Sequence, residues 1–263
     1  MKAFGRLYRS PIMMPAFSHL NKAGLSGRTP MEEYAAAAAE LHVLNWVGME
    51  SDEEYARIAE KAPGSVRIIK PFADHDKIRS EVAFARDHGA AAVGIDIDHI
   101  AGADGNYDVV DGYTMGPVLQ QDLEEYVQEA EIPFIAKGVL SVHDALAAAD
   151  AGCRAIVVSH HHGRIPYGIP PLSVLTDIRK ALAGKDIQIF VDCGIDTGYD
   201  AYKALALGAD AACVGRGILK PLLQEGSKGV IEKVKHMNEE LKQLMLYTGI
   251  KDTSSFDPGV IHF

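Results

Sequence analysis

Residues 133–159 read PFIAKGVLSVHDALAAADAGCRAIVVS, and the order of residue types in this stretch decides the architecture. An apolar run ends in a lysine (Pro133–Lys137), a helical segment follows, and a second apolar run ends in a serine (Arg154–Ser159). Neither run alternates with polar residues, as expected of parallel strands buried on both faces. Ser141 three residues ahead of Asp144 resembles a capping box, a helix is expected over Asp144–Ala151, and Gly152 stands where it should stop. The unit is β-α-β, and such crossovers join parallel strands.

The same unit repeats in both directions along the chain. Strands are expected at Ile12–Pro15, Val43–Val47, Val66–Lys70, Ala92–Asp98, Pro133–Lys137, Arg154–Ser159, Gln188–Asp192 and Ala211–Gly215. Helices are expected between them, at Glu124–Glu131, Leu172–Leu182 and Tyr199–Leu207 among others, with a long one over Val230–Tyr247. Thr29-Pro30 marks an N-cap and first helical position, and Ser51 with Glu54 a second capping box. Gly89, Gly184 and Gly208 are further stops.

Strict alternation gives a doubly wound sheet or a closed barrel. Eight units in 263 residues, near the ~250 typical of the barrel, favour an α/β fold of the (β/α)₈ TIM-barrel type, one domain over residues 1–263. No Gly-x-Gly-x-x-Gly opens a helix after the first strand, which weakens the dinucleotide-binding alternative. Ile100–Val118 stands apart as a long loop rich in Gly and Asp, a kind that is functional or disordered.

The formal charge of −10 argues against nucleic-acid binding, which needs a clustered basic footprint. Cys153, Cys193 and Cys213 are odd in number with no Cys-x-x-Cys spacing, so the expectation is a reducing cytoplasm without a disulfide framework or zinc ribbon. The apolar run between Pro11 and Pro15 is too short for a signal segment or membrane span.

In a barrel of this type the chemistry gathers at the C-terminal ends of the strands. Those ends carry Asn45, Lys70, Asp96, Asp98, Lys137, Ser159 to Arg164, Asp192, and Gly215-Arg216. Glycines at Gly215 and Gly217 let backbone amides approach a phosphate, and Arg216 can fork onto its oxygens. Lys137 calls for an anion beside it. In Ser159-His160-His161-His162-Gly163-Arg164, histidine is the usual base near neutral pH and arginine the natural carboxylate clamp. Three adjacent histidines also invite a metal, with Asp98 and His99. Consecutive side chains point in different directions, however, so no metal is assigned.

At these residues the chain resembles the FMN-dependent α-hydroxy-acid dehydrogenase/oxidase family, best from Pro133 to Gly249. The resemblance rests on Ala136-Lys137-Gly138-Val139-Leu140, Val157–Arg164, Lys203–Ala209, Gly215-Arg216 and Met245–Gly249. It implies a (β/α)₈ barrel holding FMN that oxidises a small 2-hydroxy acid or related hydroxylated compound. His161 would be the base, Asp98 its partner, Arg164 the clamp for an anionic small-molecule substrate, and Lys137 the cation at the flavin N1/O2 edge. Asp192, Gly194, Gly215 and Arg216 match positions binding the ribityl chain and phosphate. Asn45, Asp96 and Ser159 complete the expected cofactor set. A homo-oligomer is implied, with no nucleic-acid or membrane partner.

The departures are specific. His160 stands for an asparagine, His162 for a glycine, and Asp96 for a threonine. A Gln-x-Tyr pattern is missing near Arg67–Phe72, where Ile69, Lys70 and Pro71 stand. Gly102-Ala103-Asp104 replaces a second arginine region, and Ile195-Asp196-Thr197 replaces arginines after the seventh strand. Non-redox flavin or metal-assisted lyase or isomerase chemistry, and a silent flavin- or phosphate-binding protein, remain open alternatives at this point.

Overall fold

The computed structural model of the chain describes residues 1–18, 20, 25, 27–161, 163–253 and 255–261. All eight expected strands are present, as β3 (Ile12–Met13), β4 (Trp46–Val47), β5 (Val66–Ile69), β6 (Val93–Asp96), β9 (Phe134–Val139), β10 (Ala155–Val158), β11 (Gln188–Val191) and β12 (Ala211–Cys213). They form one sheet in the order β3-β12-β11-β10-β9-β6-β5-β4, with every pairing parallel. The two end strands approach each other. Met14 N–H donates to Leu44 O at 3.2 Å, Gly48 N–H donates to Phe17 O at 2.7 Å, and a parallel bridge joins Phe17 to Val47. The sheet is a nearly closed barrel.

The helices wrap it in chain order: α1 (Pro30–Leu41), α2 (Asp52–Lys61), α3 (His75–Asp87), α4 (Gln120–Ala130), α5 (Val142–Asp150), α6 (Pro171–Ala181), α7 (Gly198–Ala206), α8 (Leu219–Glu225) and α9 (Ser227–Thr248). Ser51 and Glu54 make a reciprocal capping box on α2, and Ser141 accepts from the Asp144 N–H at the start of α5. Thr29 departs from expectation. It precedes Pro30 as read, but its hydroxyl makes no cap hydrogen bond and is buried without a partner. Helix α4 starts at Gln120, four residues earlier than expected, because the Asp122 carboxylate accepts the Leu119 N–H. No helix among the described residues is long and apolar enough to cross a membrane.

Because side chains alternate across a strand, the barrel has two cores. Residues on one parity, among them Ile12, Ile69, Ile95 and Val158, pack outward against the helices. Those on the other, among them Met13, Trp46, Ile68, Ile135, Val157 and Phe190, fill the interior. Two hairpins were not foreseen. β1 (Lys2–Ala3) and β2 (Arg6–Leu7) turn at Phe4-Gly5, both at positive φ (47° and 76°), as a two-residue type I′ loop requires. Ala3 joins the interior core, and the Phe4 ring meets Phe190 edge-on at 5.9 Å, so this hairpin plugs the bottom of the barrel.

The second hairpin, β7 (Val109–Val110) and β8 (Tyr113–Thr114), organises the long loop after β6. Its turn is Asp111-Gly112, again with both φ positive (50° and 85°). Backbone bonds from Ala73 to Thr114 O (2.8 Å) and from Gly116 to Pro71 O (2.7 Å) tie it to the loop after β5.

Candidate active site

Continuing the inward parity one step past the apolar layer puts a polar residue at the top of most strands. Ile68 leads to Lys70, Gly94 to Asp96, Ile135 to Lys137, Val157 to Ser159, and Phe190 to Asp192. Gly94 has to be glycine, since an added Cβ would lie 2.5 Å from Ile135 O. All five polar residues are buried. They need internal partners, because an unpaired buried charge costs several kcal/mol.

Asp96 supplies them. Lys70 Nζ donates to its Oδ2 at 2.6 Å and Lys137 Nζ to its Oδ1 at 2.8 Å. Burial alone would push the Asp96 carboxyl up, but the Lys137 and Lys70 ammoniums outweigh it and hold the group well below the usual carboxylate range. Burial would likewise lower Lys137, yet Asp96 and then Asp192, 3.9 Å away, raise it.

Beside this group lies the pair expected from the sequence. His161 Nδ1 is 3.1 Å from Asp98 Oδ1, and Asp98 is held against Gly138, whose absent Cβ would sit 2.4 Å from Asp98 Cγ. Gly138 has φ +102° and occupies a register shift in β9, so the bulge makes the space that Asp98 fills. His161 itself is left-handed at φ +48°. Its N–H donates to Ser159 Oγ at 3.1 Å, and Gly163 N–H donates to His160 Nδ1 at 2.9 Å. His160 therefore caps the turn while His161 faces the mouth. His162 lies outside the described residues.

These groups line a cavity of about 500 Å³ at the C-terminal mouth, with Lys70, His99, Lys137, His161, Asp192, Gly194, Asp196, Gly215 and Arg216 in its wall. Its size suits a cofactor or small ligand. An added Cβ on Gly194 or Gly215 would meet nothing within 4 Å, so both backbones border open space. The buried ammoniums at the floor and the exposed Arg216 at the rim fit a flavin with its phosphate on the loops after β11 and β12. One feature opposes the phosphate: Asp196 Oδ1 already accepts the Gly217 N–H at 3.0 Å.

Not every expected residue joins the site. Asn45 is a correction. It precedes β4 rather than ending it, donates to Ser65 Oγ at 2.9 Å, and lines a separate cavity with Arg6, Tyr8 and Ser65. The run Val43–Val47 is uniformly apolar around it, so only strand pairing reveals which end of the barrel it occupies. Ser159 is wholly buried and acts through the His161 backbone. Arg164 is not in the cavity wall. Its Nη1 donates to Ala101 O at 3.1 Å and to Asp108 Oδ2 at 3.2 Å.

Three participants stood outside the flavin site read from the sequence: Lys70, noted there as a polar strand end, His99, noted as a metal candidate, and Asp108, which was not singled out. His99 Nε2 is 2.7 Å from Asp108 Oδ2, and its Nδ1 is buried without a partner. Burial, with Lys70 nearby, pulls the His99 pKa down to about 4. Asp96, His99 and His161 have ligand atoms within 4.8 Å of one another, a spacing that could suit a metal ion. Both Asp96 oxygens are occupied by ammoniums, however, and a dication there would face Lys70 and Lys137 at contact distance.

The chain matches proteins of known family. A family model described as FMN-dependent dehydrogenase covers residues 118–263. L-lactate oxidase of Roseobacter sp. (strain GAI101) is 33% identical over 159 residues, 60% of this chain and 43% of that protein. 2-Hydroxyacid oxidase 1 of Homo sapiens is 35% identical over 142 residues, 54% of this chain and 38% of that protein. A solved mandelate oxidase with 3,3-difluoro-2-hydroxy-3-phenylpropionic acid superposes with a TM-score of 0.81 at 27% identity, covering 97% of this chain and 79% of that one. The chain spans less than half the length of the curated relatives it matches first. With the match to its family model extending over more than half the chain, this protein belongs to the FMN-dependent dehydrogenase family.

Proposed function

We propose that this barrel, read as one domain over residues 1–263, is an FMN-dependent oxidoreductase. Its substrate is a small 2-hydroxy acid or related hydroxylated compound. The observation that carries the reading is the His161–Asp98 pair, 3.1 Å apart, opening onto a cavity whose floor holds two buried lysines. FMN, when bound, supplies the two-electron acceptor. With Asp98 on Nδ1, His161 keeps Nε2 free to take a proton from the substrate carbinol. The Asp98 carboxylate then stabilises the imidazolium that results. Lys137 and Lys70 set positive charge at the floor, where they would favour an anionic reduced cofactor, and Asp96 holds both in place. Arg216 and the Gly194 and Gly215 backbones hold the phosphate.

Relatives named as L-lactate oxidase, 2-hydroxyacid oxidase and 4-hydroxymandelate oxidase support this class of reaction. Homo-oligomeric assembly and a cytoplasmic location belong to the same reading. Exposed apolar side chains on the loops after β6 and β10 (Tyr107, Val109, Tyr167) support the first, and three free cysteines the second. The test has two steps: titration of the purified protein with FMN, followed by quenching of flavin fluorescence, then anaerobic mixing of the loaded protein with 2-hydroxy acids, their amides and related alcohols. Saturable FMN binding and bleaching by one of these classes is expected. Absence of FMN binding overturns the reading.

A further inference from the structure

We propose that Asp96 is a positioning residue that links the base to the cofactor, restraining the two floor ammoniums while it faces the imidazolium that His161 becomes. This deepens the oxidoreductase reading and rests on it. Lys70, Lys137 and His161 line the mouth cavity, and Asp96, 3% exposed, stands behind them. It therefore acts through those three groups and not on a ligand. Its Oδ2 accepts from Lys70 Nζ at 2.6 Å. Its Oδ1 is shared, 2.8 Å from Lys137 Nζ and 3.8 Å from His161 Nδ1. Asp96 stands for a threonine and Lys70 lies where the Gln-x-Tyr pattern is missing, so both ends of this ion pair are departures from the family's residues.

Oxidation of the substrate breaks the carbinol C–H and O–H bonds. The hydrogen on carbon passes with two electrons to FMN, the hydroxyl proton goes to His161 Nε2, and a 2-oxo product is released. One negative charge therefore arises on the cofactor and one positive charge on His161. Asp96 acts on the two with opposite sign. Among the described residues the Lys70 ammonium makes one hydrogen bond, to Asp96, of the three that its N–H groups allow, which leaves donors for an anion in the cavity. The Asp96 charge subtracts from the pull of both ammoniums on that anion. At 3.8 Å from His161 Nδ1 it adds to the attraction that Asp98, at 3.1 Å, exerts on the imidazolium. Charges this close in a site with little water shift an equilibrium by ~10-fold or more.

The test makes Asp96→Asn in two FMN-loaded backgrounds, wild type and Lys70→Met. The second keeps one floor ammonium, Lys137, with Asp192 3.9 Å away, so the comparison stands even where the single variant does not fold. The flavin's reduction potential is read at neutral pH by equilibration with a reference dye, which needs no substrate. In each background Asp96→Asn should favour the reduced flavin by at least ~10-fold, a rise of about 30 mV for a two-electron couple. Anaerobic reduction by the best 2-hydroxy acid should nevertheless slow by at least ~10-fold, because His161 loses its second carboxylate. A potential that rises while the rate falls is not what a merely structural role produces. An unchanged or lower potential overturns the restraint on the cofactor. A rate that holds or rises with the potential overturns the link to His161. If wild type binds no FMN, or no hydroxy acid reduces it, the underlying reading fails instead.

Discussion

Replacing Asp96 by asparagine keeps the shape of the floor and removes the carboxylate that both Lys70 and Lys137 contact. The three side chains are 4–7% exposed, and the two contacts measure 2.6 and 2.8 Å. Removing one partner of such a buried set costs about 3–5 kcal/mol, because the remaining charges keep their desolvation penalty. For a chain of this size that is a fall of roughly 6–20 °C in Tm. The pH dependence carries a sign. In wild type Lys137 is raised, so its contribution is present below its unfolded value of about 10.4 and is lost above it. In Asp96→Asn Lys137 loses the first of the carboxylates that raise it and keeps its burial, which lowers it, so the deficit is largest near neutral pH and shrinks as deprotonation at high pH relieves the buried charge. Urea unfolding of the apoprotein at several pH values measures both. A loss below about 1 kcal/mol with no recovery at high pH would refute the reasoning, since an exposed ion pair behaves that way.

Four further outcomes are expected. Arg216→Ala should weaken FMN binding by about 1.5–3 kcal/mol, and Asp196→Asn should strengthen FMN relative to riboflavin by freeing the Gly217 N–H; fluorescence titration reads both. Stability should fall as pH drops from about 6.5 to about 4, because the folded state keeps His99 neutral while the unfolded chain binds its proton. The full effect is about 3 kcal/mol, and His99→Phe should lose that component of the pH profile. Arg67, 1% exposed and bonded to Asp52 (2.8 Å), Glu81 (3.3 Å) and Glu50 O (3.1 Å), anchors α2 and α3 to β5. Arg67→Met should destabilise by about 3–5 kcal/mol in urea unfolding, leaving the buried Glu81 without it.

Local pattern carried most of the fold. The strands of a parallel barrel are continuous apolar runs, and Ser51 and Ser141 cap their helices through bonds three residues long, so both are visible in a short window. Asp111-Gly112 was a hairpin signal inside the long loop, whereas Phe4 at positive φ gave none. The site divides the same way. His161, Asp98 and Lys137 stand at strand ends and could be placed by parity and resemblance. Lys70 meets Asp96 across 26 residues and Arg164 meets Asp108 across 56, and no local pattern reports such pairings. Asn45 was misplaced because register, not composition, sets which end of a strand a residue occupies.

The central claim is that His161 takes the substrate proton as the flavin is reduced. It is tested most directly by anaerobic stopped-flow mixing of FMN-loaded wild type and His161→Ala with the best substrate of the hydroxy acid and amide panel, following loss of the flavin's visible absorbance. Wild type should bleach in a single substrate-dependent phase, and His161→Ala, with FMN still bound, should bleach slower by ~10²–10⁴-fold. Equal rates in the two proteins would contradict the account, as would a flavin that no member of the panel reduces.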